Sequence, residues 1–215
     1  MRTLLALLGI PLLLTGCISY QAPSYTPMLD SLATLQNVSG VYQASLLSTA
    51  PNDDGAIMCR GAGAITVGEG KTYASYIVNS LDQDLKKASL YSAKAPTIQA
   101  TYTKIDFQSN LGASNWYISG VYKIGKDSVS VDTVYNDRSS FAGGVACNNM
   151  SLYFPKAVAM HLNQLYKTAL FKTTTDKRAN TSLPVKLEEL KGALDSGLIS
   201  ATEYETKRQA IIAEF

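Results

Sequence analysis

Three runs rich in β-branched and aromatic residues follow one another between residues 97 and 135. They are Thr97 to Phe107, Trp116 to Ile124 and Ser128 to Tyr135, and polar and apolar residues alternate in each. A period of two is typical of a strand with one buried face. Gly125-Lys126-Asp127 is a link short enough for a hairpin. We therefore predict consecutive antiparallel strands in one sheet.

Two helices and a further strand complete the predicted core. Residues 72–89 repeat apolar side chains every three or four positions, and a second such segment covers about 145–170, with Pro155 early in it. Val38 to Leu47 has strand character. The order is strand, helix, three strands, helix. It predicts an α+β domain over residues 38–172, with an antiparallel sheet of about four strands and two helices on one face.

The first 16 residues have the composition of an export signal. Arg2 precedes a short apolar run, Leu4 to Leu14, whereas a membrane-spanning helix needs roughly 20 apolar residues. The run ends in Leu14-Thr15-Gly16-Cys17, which resembles the lipobox of bacterial lipoproteins. The resemblance implies that residues 1–16 are removed, that the Cys17 thiol carries a diacylglycerol and that the new amine is acylated. The alternative is an ordinary cleaved signal followed by an incidental cysteine.

The residues after Cys17 bear on location. Ile18 stands where an aspartate commonly retains lipoproteins in the inner membrane, so the resemblance implies the outer membrane, with the protein facing the periplasm. Residues 17–37 are rich in Pro, Ser and Tyr at their start and include Pro23 and Pro27. Such a segment does not easily form a helix or a sheet, so we expect a tether that lets the domain stand away from the membrane.

Two cysteines remain beyond Cys17, namely Cys59 and Cys147. An exported chain enters an oxidising compartment, where an even number of cysteines is normally paired. A redox or metal pair is the alternative, but there is no C-x-x-C sequence and the chain has one histidine. We therefore predict a structural disulfide that joins the entries of the two helices, and no bound metal.

Composition limits the class of partner. The chain is 46% hydrophobic and 17% charged, which is typical of a folded protein rather than a disordered one. The net charge of +2 includes Arg2, which lies in the predicted signal. A mature chain so close to neutrality has no strong field for a polyanion, so nucleic acid is not expected as a partner.

The C-terminal residues 185–215 are separated from the domain by a polar linker, residues 173–184. They predict a helical hairpin in which Gly197 ends the first helix, Ser200 caps the second and Glu203 completes a capping box. The segment resembles the short C-terminal domain family (SHOCT), although Gly192 and Ser196 depart from its pattern. The matching residues are Leu187, Leu190, Leu194, Gly197, Leu198, Ile199, Ser200, Glu203, Tyr204 and Lys207.

The SHOCT resemblance implies oligomerisation or protein contacts and no catalysis. We therefore expect these residues to bind a protein partner or a second copy of the chain. The alternative is that the hairpin caps its own domain.

Two glycine-rich segments invite a catalytic interpretation. Gly68 to Thr72 is similar to the end of a phosphate-binding loop, but Ile65 stands where that loop needs its first glycine, so we predict a turn with Thr72 as a helix cap. Ser139 to Gly144 lacks the G-x-S-x-G pattern of a nucleophile elbow, and we predict a flexible loop that leads to Cys147.

Single polar residues give no further site. His161 has no cysteine or acidic partner at ligand spacing, so we predict a histidine at the surface or rim rather than a catalytic base. The Asp53-Asp54 pair lies in a turn, and one acidic pair does not make a calcium site. Six of the 13 tyrosines are expected to pack a half-buried sheet, with a binding face as the alternative: Tyr73, Tyr76, Tyr102, Tyr117, Tyr122 and Tyr135.

The sequence thus predicts a non-enzymatic lipoprotein that acts as a binding or assembly accessory, without a cofactor. Its order of strands and helices is similar to that of auxiliary lipoproteins of envelope ABC transport systems, which implies such a transporter as a partner. The alternative is a periplasmic hydrolase whose site is built from scattered residues.

Overall fold

A computed structural model describes residues 18–171, 187, 190–192, 194, 195 and 199–213. The predicted signal, Cys17 and the linker 173–184 lie outside the described residues. Among the helices that are described, none has the length and apolar character needed to cross a membrane. The elements in chain order are β1 (Ser19–Gln21), α1 (Leu29–Leu35), β2 (Gln43–Ser48), β3 (Ala56–Cys59), β4 (Gly63–Thr66), α2 (Tyr73–Lys87), β5 (Thr97–Ser109), β6 (Ser114–Ile124), β7 (Asp127–Asp137), α3 (Gly143–Tyr166) and α4 (Ala201–Ala213).

The strands form two sheets of mixed direction, in the orders β2-β5-β6-β7 and β1-β4-β3. The three strands β5, β6 and β7 are antiparallel, as predicted. The prediction of a wholly antiparallel sheet is wrong for β2, which pairs with β5 in parallel. The reason is the crossover: α2 lies between these strands in the chain, and two parallel neighbours need such a connection.

Both α2 and α3 pack on the buried face of the larger sheet, as the α+β prediction requires. Trp116 on β6 lies 4.7 Å from the ring of Phe154 on α3 and 5.6 Å from that of Tyr73 on α2, measured between ring centroids. The Trp116 indole donates to the Met150 carbonyl oxygen at 2.9 Å. The three rings therefore join the sheet and both helices in one core.

The predicted alternation of β5 is confirmed for Ile98, Ala100 and Tyr102, which are all buried. The register with β6 then shifts between Tyr102 and Lys104. After this bulge the buried side chain is Ile105, so the same face of the strand stays in the core.

The prediction of a tether over residues 17–37 is wrong for its described part. β1 pairs in parallel with β4, α1 forms soon after it, and Ala22, Tyr25 and Leu35 are buried. The prolines that suggested a tether lie in the connection between β1 and α1, where they interrupt neither element. The folded domain therefore begins at the first described residue.

The predicted disulfide between Cys59 and Cys147 is confirmed, with Cα atoms 5.8 Å apart and both side chains fully buried. It joins the end of β3 to the first turns of α3. The sequence predicted that the bridge would link two helix entries. The partner of α3 is instead a short strand that precedes α2.

The chain enters and leaves the domain at opposite ends of α3. The helix has 24 residues, so it is about 36 Å long. Its first turns lie at the disulfide, whereas at its far end Phe171 packs on Tyr42 and Tyr166, each at 5.3 Å between ring centroids. The linker to the C-terminal segment therefore starts about one helix length from the disulfide.

The C-terminal segment is helical on both sides of Gly197, where two helices were predicted. Residues 187, 190–192, 194 and 195 are helical, and α4 follows. The predicted capping box is present, because the Ser200 amide donates to the Glu203 carboxylate at 2.9 Å and the Glu203 amide donates to the Ser200 hydroxyl at 3.3 Å. Gly197 and Leu198 lie outside the described residues.

Candidate functional site

One arginine ties three loops together at the disulfide end of the domain. Arg60, in the turn between β3 and β4, donates to the carbonyl oxygens of Ser109 (3.1 Å), Ser140 (2.8 Å) and Asn110, and to the Ser139 hydroxyl (2.7 Å). Such charge-assisted hydrogen bonds are stronger than neutral ones. The loop that begins at Ser139, predicted to be flexible, is therefore bound at its first two residues.

Ile18, the first described residue, lies at the same end of the domain. The Ile18 carbonyl oxygen accepts from the Ala64 amide at 3.3 Å. A Cβ atom on Gly63 would lie 2.3 Å from that oxygen, so the approach requires glycine. A Cβ atom on Gly144 would lie 3.2 Å from the Tyr20 hydroxyl oxygen. The start of β1 is therefore held between the β3–β4 turn and the first turn of α3.

Five large apolar side chains are exposed around this end, and together we call them the apolar end. Ile18, Leu111 and Phe141 lie outside the regular elements, whereas Met58 lies on β3 and Val145 lies in the first turn of α3. Single exposed apolar residues are common, but a group of them on neighbouring segments is typical of an interaction surface. The exposed fractions are 62% for Ile18, 66% for Met58, 65% for Leu111, 82% for Phe141 and 52% for Val145.

The apolar end carries few charges. The segments at this end, residues 57–64, 109–114 and 138–146, contain Arg60 and Arg138, and the adjacent carboxylate of Asp137 accepts from the Arg138 amide at 2.7 Å. The guanidinium of Arg60 donates its hydrogen bonds to loop oxygens. The more exposed Arg138 is therefore better placed to bind an external anion. The combination of apolar side chains and arginines is typical of proteins that bind the interface of a membrane with anionic headgroups.

A carboxylate of the chain itself already binds the backbone amides at the start of α2. The Thr72 hydroxyl accepts from the Ser75 amide at 3.0 Å, which confirms Thr72 as the helix cap. The Asp53 carboxylate accepts from the first two amides of the helix, at 2.7 and 2.8 Å. A phosphate would have to displace this carboxylate, so the glycine-rich turn acts as a structural cap. The neighbouring Asp54 accepts from the Ala56 amide at 3.1 Å.

His161 is fully buried, so the prediction of a surface or rim histidine is wrong. Its Nε2 lies 2.7 Å from the Tyr122 hydroxyl oxygen and its Nδ1 lies 2.9 Å from Thr133 Oγ1. Thr133 Oγ1 in turn donates to Gln164 Oε1 at 2.7 Å, and Tyr102 and Tyr122 share a hydrogen bond of 3.0 Å. These side chains join three strands of the larger sheet to α3.

The proton positions in this network follow from the hydroxyl of Thr133. Its one proton goes to Gln164, so it accepts from His161 Nδ1, and Nε2 is left to accept from Tyr122. His161 is therefore neutral, and burial lowers its pKa from 6.5 to about 3. A histidine with no exposed surface has no access to a substrate, and we assign it a structural role.

A second buried network fixes the N-terminal segment. Asp84 on α2 accepts from the hydroxyls of Tyr25 (2.9 Å) and Tyr166 (2.6 Å) through the same oxygen. Burial raises the pKa of Asp84, although the two hydroxyls favour its ionised form. The contact joins the segment after β1 to both long helices, which is a further reason why this segment is not a tether.

The remaining candidates are an open cleft, the metal-ligating side chains and the tyrosines. An open cleft of about 430 Å³ lies between β3 and β5, with Asp54, Lys104 and Asp106 on its walls. No group of three or more histidine, cysteine or acidic side chains able to hold a metal occurs among the described residues. Of the six tyrosines predicted to pack a half-buried sheet, Tyr102 and Tyr122 are buried on the sheet and Tyr73 and Tyr76 are buried on α2, whereas Tyr117 and Tyr135 are half-buried.

The predicted interaction residues lie in the partly described C-terminal segment. Leu187, Leu190, Leu194 and Ile199 are half-buried, and so is Tyr204 on α4. Glu203 is exposed apart from its cap contact, which lowers its pKa.

No protein-family model matches this chain, and no curated protein matches it. One similar solved structure, described as the crystal structure of an uncharacterized protein, shares 9% sequence identity with a TM-score of 0.35. The likeness covers 69% of this chain and 95% of that one. A likeness at this level assigns neither fold nor function, so the site rests on the geometry of the apolar end.

Proposed function

We propose that the protein is a lipoprotein anchored through Cys17 in the outer membrane and facing the periplasm, where it acts as a non-enzymatic binding or assembly accessory of an envelope transport system. The observation that carries the proposal is the position of Ile18. This residue follows the lipobox cysteine directly and is already hydrogen-bonded to β4. An acylated Cys17 would therefore hold the domain against the bilayer without an intervening tether.

The disulfide supports export to the periplasm. A buried bridge of this kind persists in oxidising compartments and is rare in the bacterial cytosol. The path of the chain supports an accessory role. With Ile18 at the membrane, the linker to the C-terminal segment starts about one α3 length away from it, and a SHOCT-like module would be presented to partners in the periplasm.

Replacing Cys17 by serine tests the anchor. We expect Cys17→Ser to take up no labelled palmitate and to accumulate as a precursor that keeps residues 1–16, because signal removal in lipoproteins follows modification of the thiol. Metabolic labelling and mass spectrometry of the N-terminal peptide measure both. The control is Cys147→Ser, which should be labelled and processed normally. Normal processing of Cys17→Ser would contradict the proposal.

Deleting residues 185–215 tests the C-terminal module. Because 12 linker residues have a root-mean-square span of about 20 Å, the module can leave its own domain and bind a second copy. We expect the truncated protein to melt at an unchanged temperature and to show a lower molar mass by light scattering. A point variant, Leu190→Ser, should lower the mass in the same direction. A lower melting temperature with an unchanged mass would identify the module as a cap on its own domain.

A further inference from the structure

We propose that the apolar end is a second, non-covalent membrane contact, in which Ile18, Phe141 and their neighbours enter the interface of the lipid bilayer beside the acyl chains. The inference rests on the proposed anchor at Cys17 and adds a surface that lipidation alone does not require. The occupant we assign is a phospholipid leaflet with anionic headgroups.

Covalent geometry places the leaflet at this end of the molecule. Consecutive Cα atoms are about 3.8 Å apart, so Cys17 lies one residue from a backbone oxygen that is fixed on β4. The lipid group on Cys17 is then attached one residue from Ile18 and enters the membrane at this end of the domain. The loops around Ile18 must face the headgroups, because no flexible segment separates them from the anchor.

The side chains at this end are of the type that partitions into a membrane interface. Phe141 and Leu111 stand on loops, with exposed fractions of 82% and 65%. The Leu111 segment, residues 109–114, carries no charge, and in the Phe141 segment Arg138 balances the adjacent Asp137, so both loops approach anionic headgroups without net repulsion. Aromatic and aliphatic side chains beside basic residues form the usual composition of a monotopic membrane contact.

The loops are also held in place before they meet the membrane. Arg60 bonds the residues next to Leu111 and Phe141, namely Asn110 and Ser140, and the Cys59–Cys147 bridge lies behind them. Fixing a mobile loop on binding would cost conformational entropy, and here most of that ordering is already present in the free protein. The apolar end can therefore enter the interface as a preformed surface.

A tryptophan placed at Phe141 tests the contact in the full-length, acylated protein. Phe141→Trp is reconstituted in vesicles of phosphatidylethanolamine and phosphatidylglycerol whose acyl chains carry bromine, a short-range quencher. The native Trp116 is fully buried and provides the background. The matched control is Leu29→Trp, since Leu29 is 84% exposed, close to the 82% of Phe141, but lies beside the second half of α2. We expect Phe141→Trp to lose most of its added emission and Leu29→Trp to keep its own.

Equal emission from both variants while the N-terminal peptide carries acylated Cys17 would overturn the contact and leave the anchor intact. Emission from Phe141→Trp that is blue-shifted in native membranes but not quenched in the brominated vesicles would mean that a protein covers the surface, and would also overturn the contact. An unmodified Cys17 would refute the proposed function instead. In that case vesicle binding of the unacylated chain decides the contact: we expect Phe141→Ser to weaken it about tenfold, and no loss would overturn it.

Discussion

Replacing both Cys59 and Cys147 by alanine is expected to lower the free energy of unfolding by about 4 kcal/mol. The bridge closes a loop with a sequence separation of 88 residues, which removes much of the freedom of the unfolded chain. A natural domain has about 5–15 kcal/mol of stability in total, so this loss is a large part of it. Urea unfolding of the variant and the oxidised wild type at equal pH measures the difference.

Two controls separate the bridge from the packing of its side chains. Wild type treated with a reductant should lose a similar free energy, since it has the same side chains without the bond. The free energy of unfolding of Cys59→Ser alone should be lower than that of the double alanine variant, because the single variant buries a hydroxyl and leaves an unpaired thiol. A double variant within about 1 kcal/mol of the wild type would show that the folded core alone holds β3 against α3.

Removal of the bridge should also affect how firmly the loops of the apolar end are held. The bridge holds the end of β3 on the first turns of α3, and Arg60 is the next residue after Cys59. Without the bridge, the hydrogen bonds of Arg60 to the loops would have to fix this end alone. Stability and membrane contact are therefore coupled through the same few residues.

The long elements could be predicted from the sequence because their periods repeat many times. β5 has 13 residues and α2 has 15, and in both the apolar spacing matches the observed burial. The strands β1, β3 and β4 have three or four residues each, too few for a period to emerge. The parallel pairing of β2 was missed for another reason, since direction depends on the path of the chain and not on the strand's own sequence.

The apolar end could not be predicted in the same way. Arg60 binds mainly backbone oxygens, so no partner side chain in the sequence marks its role. The available signal was local: Asn110-Leu111-Gly112 and Ser140-Phe141-Ala142-Gly143 each place one large apolar residue inside a turn-forming segment. A large apolar side chain in a turn has little chance of burial, and two such turns predict an exposed apolar surface.

His161 carried a signal that was present in the sequence and given too little weight. Val158, His161 and Leu165 follow one another at intervals of three and four, which places the histidine on the buried face of α3. The absence of a metal-ligand pattern around His161 argued against catalysis but did not imply exposure. Helical periodicity is the better guide to burial, and the spacing of ligands is the better guide to chemistry.

Acidification from pH 7 to pH 4 is expected to cost the wild type about 3 kcal/mol of stability through His161 alone. The pKa of His161 is about 3 in the folded protein and near its ordinary value of 6.5 in the unfolded chain. Between these values the unfolded chain binds a proton that the folded chain does not. Stability from this group is therefore fully present above pH 6.5 and falls by about 1.4 kcal/mol for each unit below it.

The variant His161→Gln isolates this effect. Glutamine offers a donor and an acceptor to Thr133 and Tyr122 but does not titrate, so the variant should be less stable at pH 7 and lose less stability on acidification. Urea unfolding at pH 7, 6, 5 and 4 gives both curves. Carboxylates such as Asp137, whose pKa is lowered by the Arg138 amide, contribute equally to both proteins and cancel in the difference.

Asp84 provides the control, because its effect on the pH dependence of stability has the opposite sign. Burial raises the pKa of its carboxyl, so the folded chain holds a proton that the unfolded chain has released, and lower pH favours folding through this group. Asp84→Asn should therefore show a steeper acid loss than the wild type, whereas His161→Gln should show a shallower one. Parallel curves for His161→Gln and the wild type would mean that His161 has the same pKa in the folded and the unfolded protein, and the lowering of its pKa by burial would be wrong.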